Sequence, residues 1–133
     1  MRTLVLVRTV ALIGSLIVLG TSAVSAQDTS AVQRGNLKFQ LTCAPCHGAG
    51  PGSDGRPVLP GTAALQLKYQ GSLPALLEAR TDLTMEALKT YVRRGSWSMP
   101  PFRPTELTDA EIRDIAAYLA TAPKAAAKAS QRQ

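Results

Sequence analysis

The sequence predicts an all-α fold, and two observations lead to that prediction. No stretch of the chain alternates between apolar and polar residues as a half-buried strand does. Two segments, "LTMEALKTYVRRG" and "LTDAEIRDIAAYLA", instead place apolar residues at helical spacing between helix start and stop signals. With 133 residues, the chain is expected to form a single domain.

The first 26 residues have the features of a secretory signal peptide. Arg2 and Arg8 make the start basic, residues 10–19 form an apolar run, and the small residues "VSA" precede the predicted cut. The run is short for a membrane span, so cleavage is favoured over the alternative, an uncleaved membrane anchor. We therefore expect a periplasmic protein with no stable membrane span after cleavage.

The mature part divides into a domain, residues 27–123, and an Ala- and Lys-rich tail, residues 124–133, which is expected to be flexible and solvated. Without Arg2 and Arg8, 13 Lys and Arg remain against 9 Asp and Glu, and three of the positive charges lie in the tail. The domain is therefore close to neutral. That balance argues against a nucleic-acid-binding protein, which needs a dense basic face.

Helical segments are expected in the second half of the chain. A short piece over residues 74–80 follows the turn-forming "QGSLP". The next helix follows Thr84, whose side chain can cap it, and ends at Gly95. The residues of this helix that are expected to face the core are Leu88, Tyr91 and Val92.

The last helix starts with a capping box. Thr108 precedes the helix and Glu111 follows three residues later, so each side chain can accept a hydrogen bond from the backbone N–H of the other residue. Pro123 is expected to end the helix, because proline has no backbone N–H to donate. The apolar residues at helical spacing are Ile112, Ile115, Ala116 and Leu119.

Both cysteines and the only histidine fall within five consecutive residues, as Cys43, Cys46 and His47. A disulfide between two such close cysteines closes a very short loop and would stabilise the fold weakly. A thiol redox site of this spacing normally follows a strand of a βαβ unit, and no strand run precedes Cys43. A structural zinc site needs four ligands, whereas the chain has three Cys and His groups.

The remaining interpretation of Cys-x-x-Cys-His is the covalent attachment of haem. Residues at i, i+3 and i+4 share one helical face, so two thiols can reach the two vinyl groups on one porphyrin edge while the imidazole approaches the iron. The motif therefore predicts one haem c, attached through Cys43 and Cys46, with His47 as an axial iron ligand.

On this motif, the chain resembles the small monohaem cytochromes c with His and Met axial ligands. The family has a Gly, an aromatic residue and the first Cys at four-residue steps, matched here by Gly35, Phe39 and Cys43. It also has an apolar residue and a Tyr three apart on the last helix, matched by Ile115 and Tyr118. The resemblance implies a small cytochrome c fold, in which the terminal helices pack together while loops and short helices wrap one haem.

The sixth iron ligand is expected to be a methionine. His47 is the only histidine, so a second histidine ligand from the chain is excluded, and the soft donors available are Met85 and Met99. Met85 lies in the first turn of a predicted helix, where methionine is usually a core filler. Met99 precedes Pro100 and Pro101 on an extended loop and resembles the Met-Pro axial segment of the family, so Met99 is assigned to the iron.

Two further residues are assigned to the haem surroundings by the resemblance. Family members have a Pro downstream of the histidine whose carbonyl accepts the imidazole Nδ1 hydrogen, and Pro57 stands at that place, although it can equally be an ordinary loop proline. Trp97, the only Trp, is expected in the haem pocket, where its indole can donate to a propionate. The alternative for Trp97 is an ordinary packing aromatic.

Two occupied axial positions keep substrates away from the iron, so His and Met ligation predicts electron transfer and no catalytic residue. The alternative is a gas sensor or a peroxidase-like enzyme with an open distal position. The segment 60–112 resembles the cytochrome subunits that serve flavoprotein dehydrogenases, such as 4-cresol dehydrogenase. We therefore expect a flavoprotein or quinoprotein dehydrogenase as electron donor, and an oxidase or another cytochrome of the respiratory chain as acceptor.

Overall fold

The structure is a computed structural model that describes residues 23–130, with side chains over residues 29–123. Within this part the chain contains no strand, and a single isolated bridge pairs Ser96 with Met99. The all-α prediction is confirmed. The helices are α1 (Ala23–Thr42), α2 (Ala44–His47), α3 (Pro60–Tyr69), α4 (Met85–Arg94) and α5 (Asp109–Ser130), with a 3-10 turn at Leu77–Ala79.

Most of the predicted signal peptide, residues 1–22, lies outside the described residues. Its last four residues, 23–26, form the first turn of α1. None of the helices within residues 23–130 is long and apolar enough to cross a membrane.

The terminal helices α1 and α5 approach each other closely at Gly35. A Cβ atom on this residue would lie 1.9 Å from the carbonyl oxygen of Asp114, so only glycine allows the two backbones to meet here. One turn further along α1, Phe39 is fully buried, and its ring centroid lies 5.5 Å from that of Tyr118. Ile115 is also buried. The helix packing that the resemblance implied is therefore confirmed.

A small apolar core fills the space between α1, α4 and α5. Two ion pairs close the edges of the α1–α5 contact: Arg34 with Asp114 at 2.7 Å, and Lys38 with Glu111 at 2.5 Å. These contacts hold the C-terminal half of α1 against α5, so they fix the position of the residues that follow the helix. The core residues are Phe39, Val92, Leu107, Ile112, Ile115 and Leu119.

Helix α4 has the predicted ends, but one of its predicted core residues lies at the surface. Thr84 Oγ1 accepts a hydrogen bond at 3.1 Å from the backbone N–H three residues later, and Gly95, with φ 68°, ends the helix. The prediction that Tyr91 faces the core is wrong, because its side chain is 41% exposed and Lys68 Nζ lies 5.3 Å above its ring. The residues that do pack in or against the core are Leu88 and Val92.

Helix α5 begins as predicted and ends later than predicted. The capping box is formed: Glu111 N–H donates to Thr108 Oγ1 at 3.2 Å, and Thr108 N–H donates to the Glu111 carboxylate at 2.7 Å. The expected end at Pro123 is wrong, since the helix continues to Ser130. The Ala-rich sequence after Pro123 has a high helix propensity, which offsets the missing hydrogen bond.

Helix α3 was not predicted. Pro60 occupies its first turn, where a missing backbone N–H costs nothing, and Gln70 ends it in the left-handed conformation with φ 47°. Several of its side chains stay exposed, among them Leu67 at 78%, so the segment lacks the clear apolar stripe on which helix prediction depends. The short helical piece expected over residues 74–80 is found as the 3-10 turn.

Glu111→Gln is expected to weaken the fold in a pH-dependent way. Hydrogen bonds from Lys38 and from Thr108 lower the pKa of the Glu111 carboxyl to about 2. Because the folded pKa is depressed, the carboxylate stabilises the protein above about pH 4.5, and this stabilisation is lost as the pH falls toward 2. We expect a loss of about 0.5 kcal/mol in the free energy of unfolding at neutral pH.

The measurement is urea unfolding of wild type and variant at about pH 7 and about pH 2.5. The difference between the two proteins should shrink at the lower pH. Glu86→Gln, at an exposed acid in the first turn of α4, is the matched control. A Glu111→Gln difference that is the same at both pH values contradicts the expectation.

Candidate haem site

The Cys-x-x-Cys-His motif forms one helical turn directly after α1. The backbone N–H groups of Cys46 and His47 both donate to the carbonyl oxygen of Cys43, at 3.1 and 2.9 Å. Cys43 itself donates to the Phe39 carbonyl at 2.9 Å, so the turn continues from the buried end of α1. The spacing therefore places the two thiols and the imidazole on a single turn, as expected.

The two thiols are free and differ in exposure. Cys43 is half-buried and packs against the core, whereas Cys46 is exposed, and the two do not form a disulfide. Burial raises the pKa of the Cys43 thiol. Within residues 23–130, no group of three or more His, Cys, Asp or Glu side chains is arranged to hold a metal ion.

The imidazole of His47 is half-buried beside α3. Burial lowers its pKa below the ordinary value, so the ring is neutral near pH 7, which is the form that binds a metal. Its Nδ1 atom is buried without a hydrogen-bond partner. The predicted bond from Nδ1 to the Pro57 carbonyl is therefore not formed, and Pro57 lies exposed in the segment before α3.

The loop that carries Met99 is a tight turn after α4. Ser96 and Met99 exchange two backbone hydrogen bonds, at 3.0 and 2.9 Å. Gly95 precedes the turn with φ 68°, and a Cβ atom there would lie 2.6 Å from the Met99 carbonyl oxygen. The turn directs Met99 inward, where its half-buried side chain packs against the core.

Arg93, a residue that the sequence analysis did not single out, fastens the chain that follows Met99. Its guanidinium donates to the carbonyl oxygens of Phe102 and Leu107, at 3.1 and 2.8 Å, and to the Asp109 carboxylate at 2.6 Å. Phe102 N–H in turn donates to the Val92 carbonyl at 2.8 Å. A basic residue in the last turn of a helix was the available sequence signal, but it does not reveal which carbonyls the side chain reaches.

Trp97 lies at the tip of the turn, fully exposed at 105% and with φ 54°. In this position the indole does not pack against the described part of the chain. Its assignment to the haem pocket stays a prediction.

Met85→Leu is expected to leave the iron ligation unchanged. Met85 is half-buried in the first turn of α4, and the expectation that it fills the core is wrong, because Met99 packs against the core and Met85 does not. The substitution preserves volume and apolarity and should cost less than about 1.5 kcal/mol in unfolding free energy. The measurement is the long-wavelength sulfur-to-iron absorption band. If Met85→Leu abolishes this band, the choice of Met99 as ligand is wrong.

Residues 30–119 match the family model described as "Cytochrome C oxidase, cbb3-type, subunit III". The chain belongs to this family of cytochromes c. A relative, the cytochrome c6 of Cyanidioschyzon merolae (strain NIES-3377 / 10D), is 34% identical over 85 residues, which cover 64% of this chain and 68% of the relative. No solved structure matches the chain.

Cytochrome c domains bind covalently attached haem c, typically one in small members, and the residues present fit that group. Two free thiols and one neutral imidazole share a helical turn, and the imidazole presents its buried Nδ1 to the protein. Bound haem supplies one-electron redox chemistry at its iron. Cytochromes c act as electron carriers between partner proteins, and so does this one.

Proposed function

We propose that the mature chain is a periplasmic one-electron carrier with one haem c attached through Cys43 and Cys46 and ligated axially by His47 and Met99. The observation that carries the proposal is that Cys43 and Met99, from distant parts of the sequence, pack against the same apolar core. The turn that contains Cys43 and the turn that contains Met99 are therefore held by the same core. Axial ligands held in this way would suit a carrier, whose iron changes charge without changing ligands.

The residues around the ligands favour electron transfer over catalysis. A methionine thioether stabilises reduced iron, and an apolar shell disfavours the extra charge of oxidised iron, so the reduction potential is expected to be positive. In the proposed holoprotein, Trp97 contributes its indole to the haem surroundings. The choice between a carrier and an enzyme does not depend on this residue.

For the partners, we propose a periplasmic dehydrogenase as electron donor and the respiratory chain as the destination. A flavoprotein dehydrogenase is favoured over a quinoprotein, on the resemblance of residues 60–112 to cytochrome subunits that serve such enzymes. The matching family is described by the name of an oxidase subunit, which supports an oxidase on the acceptor side. Stopped-flow reduction by a flavoprotein and by a quinoprotein dehydrogenase would discriminate between the two donors.

The carrier proposal is tested by carbon monoxide and by redox titration of the purified wild type. A carrier with both axial positions filled should titrate reversibly with one electron and should not bind carbon monoxide readily when reduced. Ready binding of the gas would contradict the proposal. It would favour the gas-sensor or peroxidase-like alternative, in which the distal position is open.

A further inference from the structure

The first turn of α3 lies directly against one edge of the His47 ring. A Cβ atom on Gly61 would come within 2.6 Å of His47 Cε1 and 2.7 Å of His47 Nδ1, and within 2.7 Å of the Cys46 carbonyl oxygen. Real Cβ atoms essentially never approach other atoms this closely. The backbone of α3 therefore occupies the space beside the ring, and residue 61 has to be glycine for it to do so.

A buried hydrogen bond joins the same turn to the chain just after the histidine. Thr62 Oγ1 donates to the Gly48 carbonyl oxygen at 3.2 Å, and Thr62 is only 5% exposed. Gly48 follows His47 directly and closes α2 through its own N–H, which donates to the Ala44 carbonyl at 2.8 Å. Gly61 thus limits the position of the ring, and Thr62 holds the backbone on which the ring is carried.

We infer that Gly61 and Thr62 are positioning residues for the proximal ligand and fix the orientation of the His47 imidazole. The inference rests on the proposed role of His47 as an axial ligand. The Nδ1–Cε1 edge is the part of the ring that α3 blocks, so α3 leaves Nε2 as the nitrogen that ligates iron. Groups that contact a ligating imidazole set its orientation and thereby alter the electronic properties of the metal. A substitution at Gly61 or Thr62 should therefore change the properties of the iron.

The principal experiment compares Gly61→Ala with wild type in the haem-loaded protein. The added methyl group must displace the ring or the helix, so the reduction potential and the electron paramagnetic resonance g values of the oxidised protein should both shift. Gly35→Ala is the matched control, because its Cβ atom would meet an even closer backbone contact, 1.9 Å from the Asp114 carbonyl oxygen, that does not involve His47. The control should lower the melting temperature but leave the potential and the g values at their wild-type values.

If Gly61→Ala fails to fold or to attach haem, a second pair of variants tests whether α3 positions His47. Thr62→Val removes the hydrogen bond to Gly48 while keeping the shape of the side chain, and Thr62→Ser keeps the hydroxyl. We expect Thr62→Val to shift the same two quantities, to a smaller extent, and Thr62→Ser to restore them. A purely structural role would lower the melting temperature of Thr62→Val without moving either quantity.

Two outcomes overturn the inference, and they are distinguishable. If wild type has a His-ligated haem and neither Gly61→Ala nor Thr62→Val changes the potential or the g values, α3 does not position the ligand. If wild type itself shows no histidine ligation to iron, the proposed function fails and the inference fails with it.

Discussion

Met99→Ala is expected to open the sixth coordination position of the iron. The variant should bind carbon monoxide in its reduced form, have a lower reduction potential than wild type and gain weak peroxidase activity, because it lacks the thioether that we propose raises the potential and blocks the iron. Truncation of the side chain should also cost about 2 kcal/mol in unfolding free energy, the lower end for a buried methionine, since Met99 is half-buried. His47 should stay bound, because it belongs to a separate turn that α3 supports.

The measurement is carbon monoxide binding and reduction potential for wild type, Met99→Ala and Met85→Leu. Met85→Leu is the control for a methionine that is not a ligand, and it should behave as wild type does. If wild type binds the gas readily and Met99→Ala changes neither quantity, the distal side is open in the native protein. An enzyme or sensor would then replace the carrier.

Gly35→Ala is expected to weaken the packing of the terminal helices. The new methyl group would lie 1.9 Å from the Asp114 carbonyl oxygen and 2.4 Å from its carbon, so α1 and α5 must move apart. Overpacking of this kind lowers the free energy of unfolding by about 1–3 kcal/mol. The higher helix propensity of alanine offsets about 1 kcal/mol of this loss. The backbone contact is so close that we expect a loss at the upper end of this range.

Urea and thermal unfolding of the haem-loaded protein measure this effect. A loss of 1 kcal/mol lowers the melting temperature of a domain this small by about 4–8 °C. Gln33→Ala, at an exposed position of the same helix, is the control and should leave stability almost unchanged. If Gly35→Ala is as stable as wild type, the two helices do not meet at this residue.

Much of the helical frame could be predicted from the sequence, because its signals are local. Thr84 and Thr108 cap their helices through side chains that reach only three residues along the chain, and the structure contains both caps. The close packing of α1 and α5 at Gly35 was predicted from the resemblance alone. No local sequence signal indicates which helix packs against a glycine. Pro123 misled the prediction because the Ala-rich sequence after it sustains the helix.

The candidate site was predictable only in part. The Cys-x-x-Cys-His turn follows from spacing, whereas α3 lacks a clear apolar stripe, and its contact with His47 depends on tertiary folding. Tyr91 was assigned to the core from its helical position, but its side chain lies at the surface beside Lys68, a contact that depends on tertiary folding. Hydrogen bonds between residues far apart in the chain, such as those from Arg93 to two carbonyl oxygens, leave no recognisable sequence pattern.

Covalent attachment of haem is the central claim, and the intact mass of the exported protein tests it most directly. The protein should be produced in cells competent in haem maturation and weighed under denaturing conditions, beside a Cys43→Ala, Cys46→Ala double variant. Wild type should have the mass of the mature chain plus one haem, and the double variant that of the mature chain alone. A wild-type mass equal to that of the bare mature chain would contradict the account.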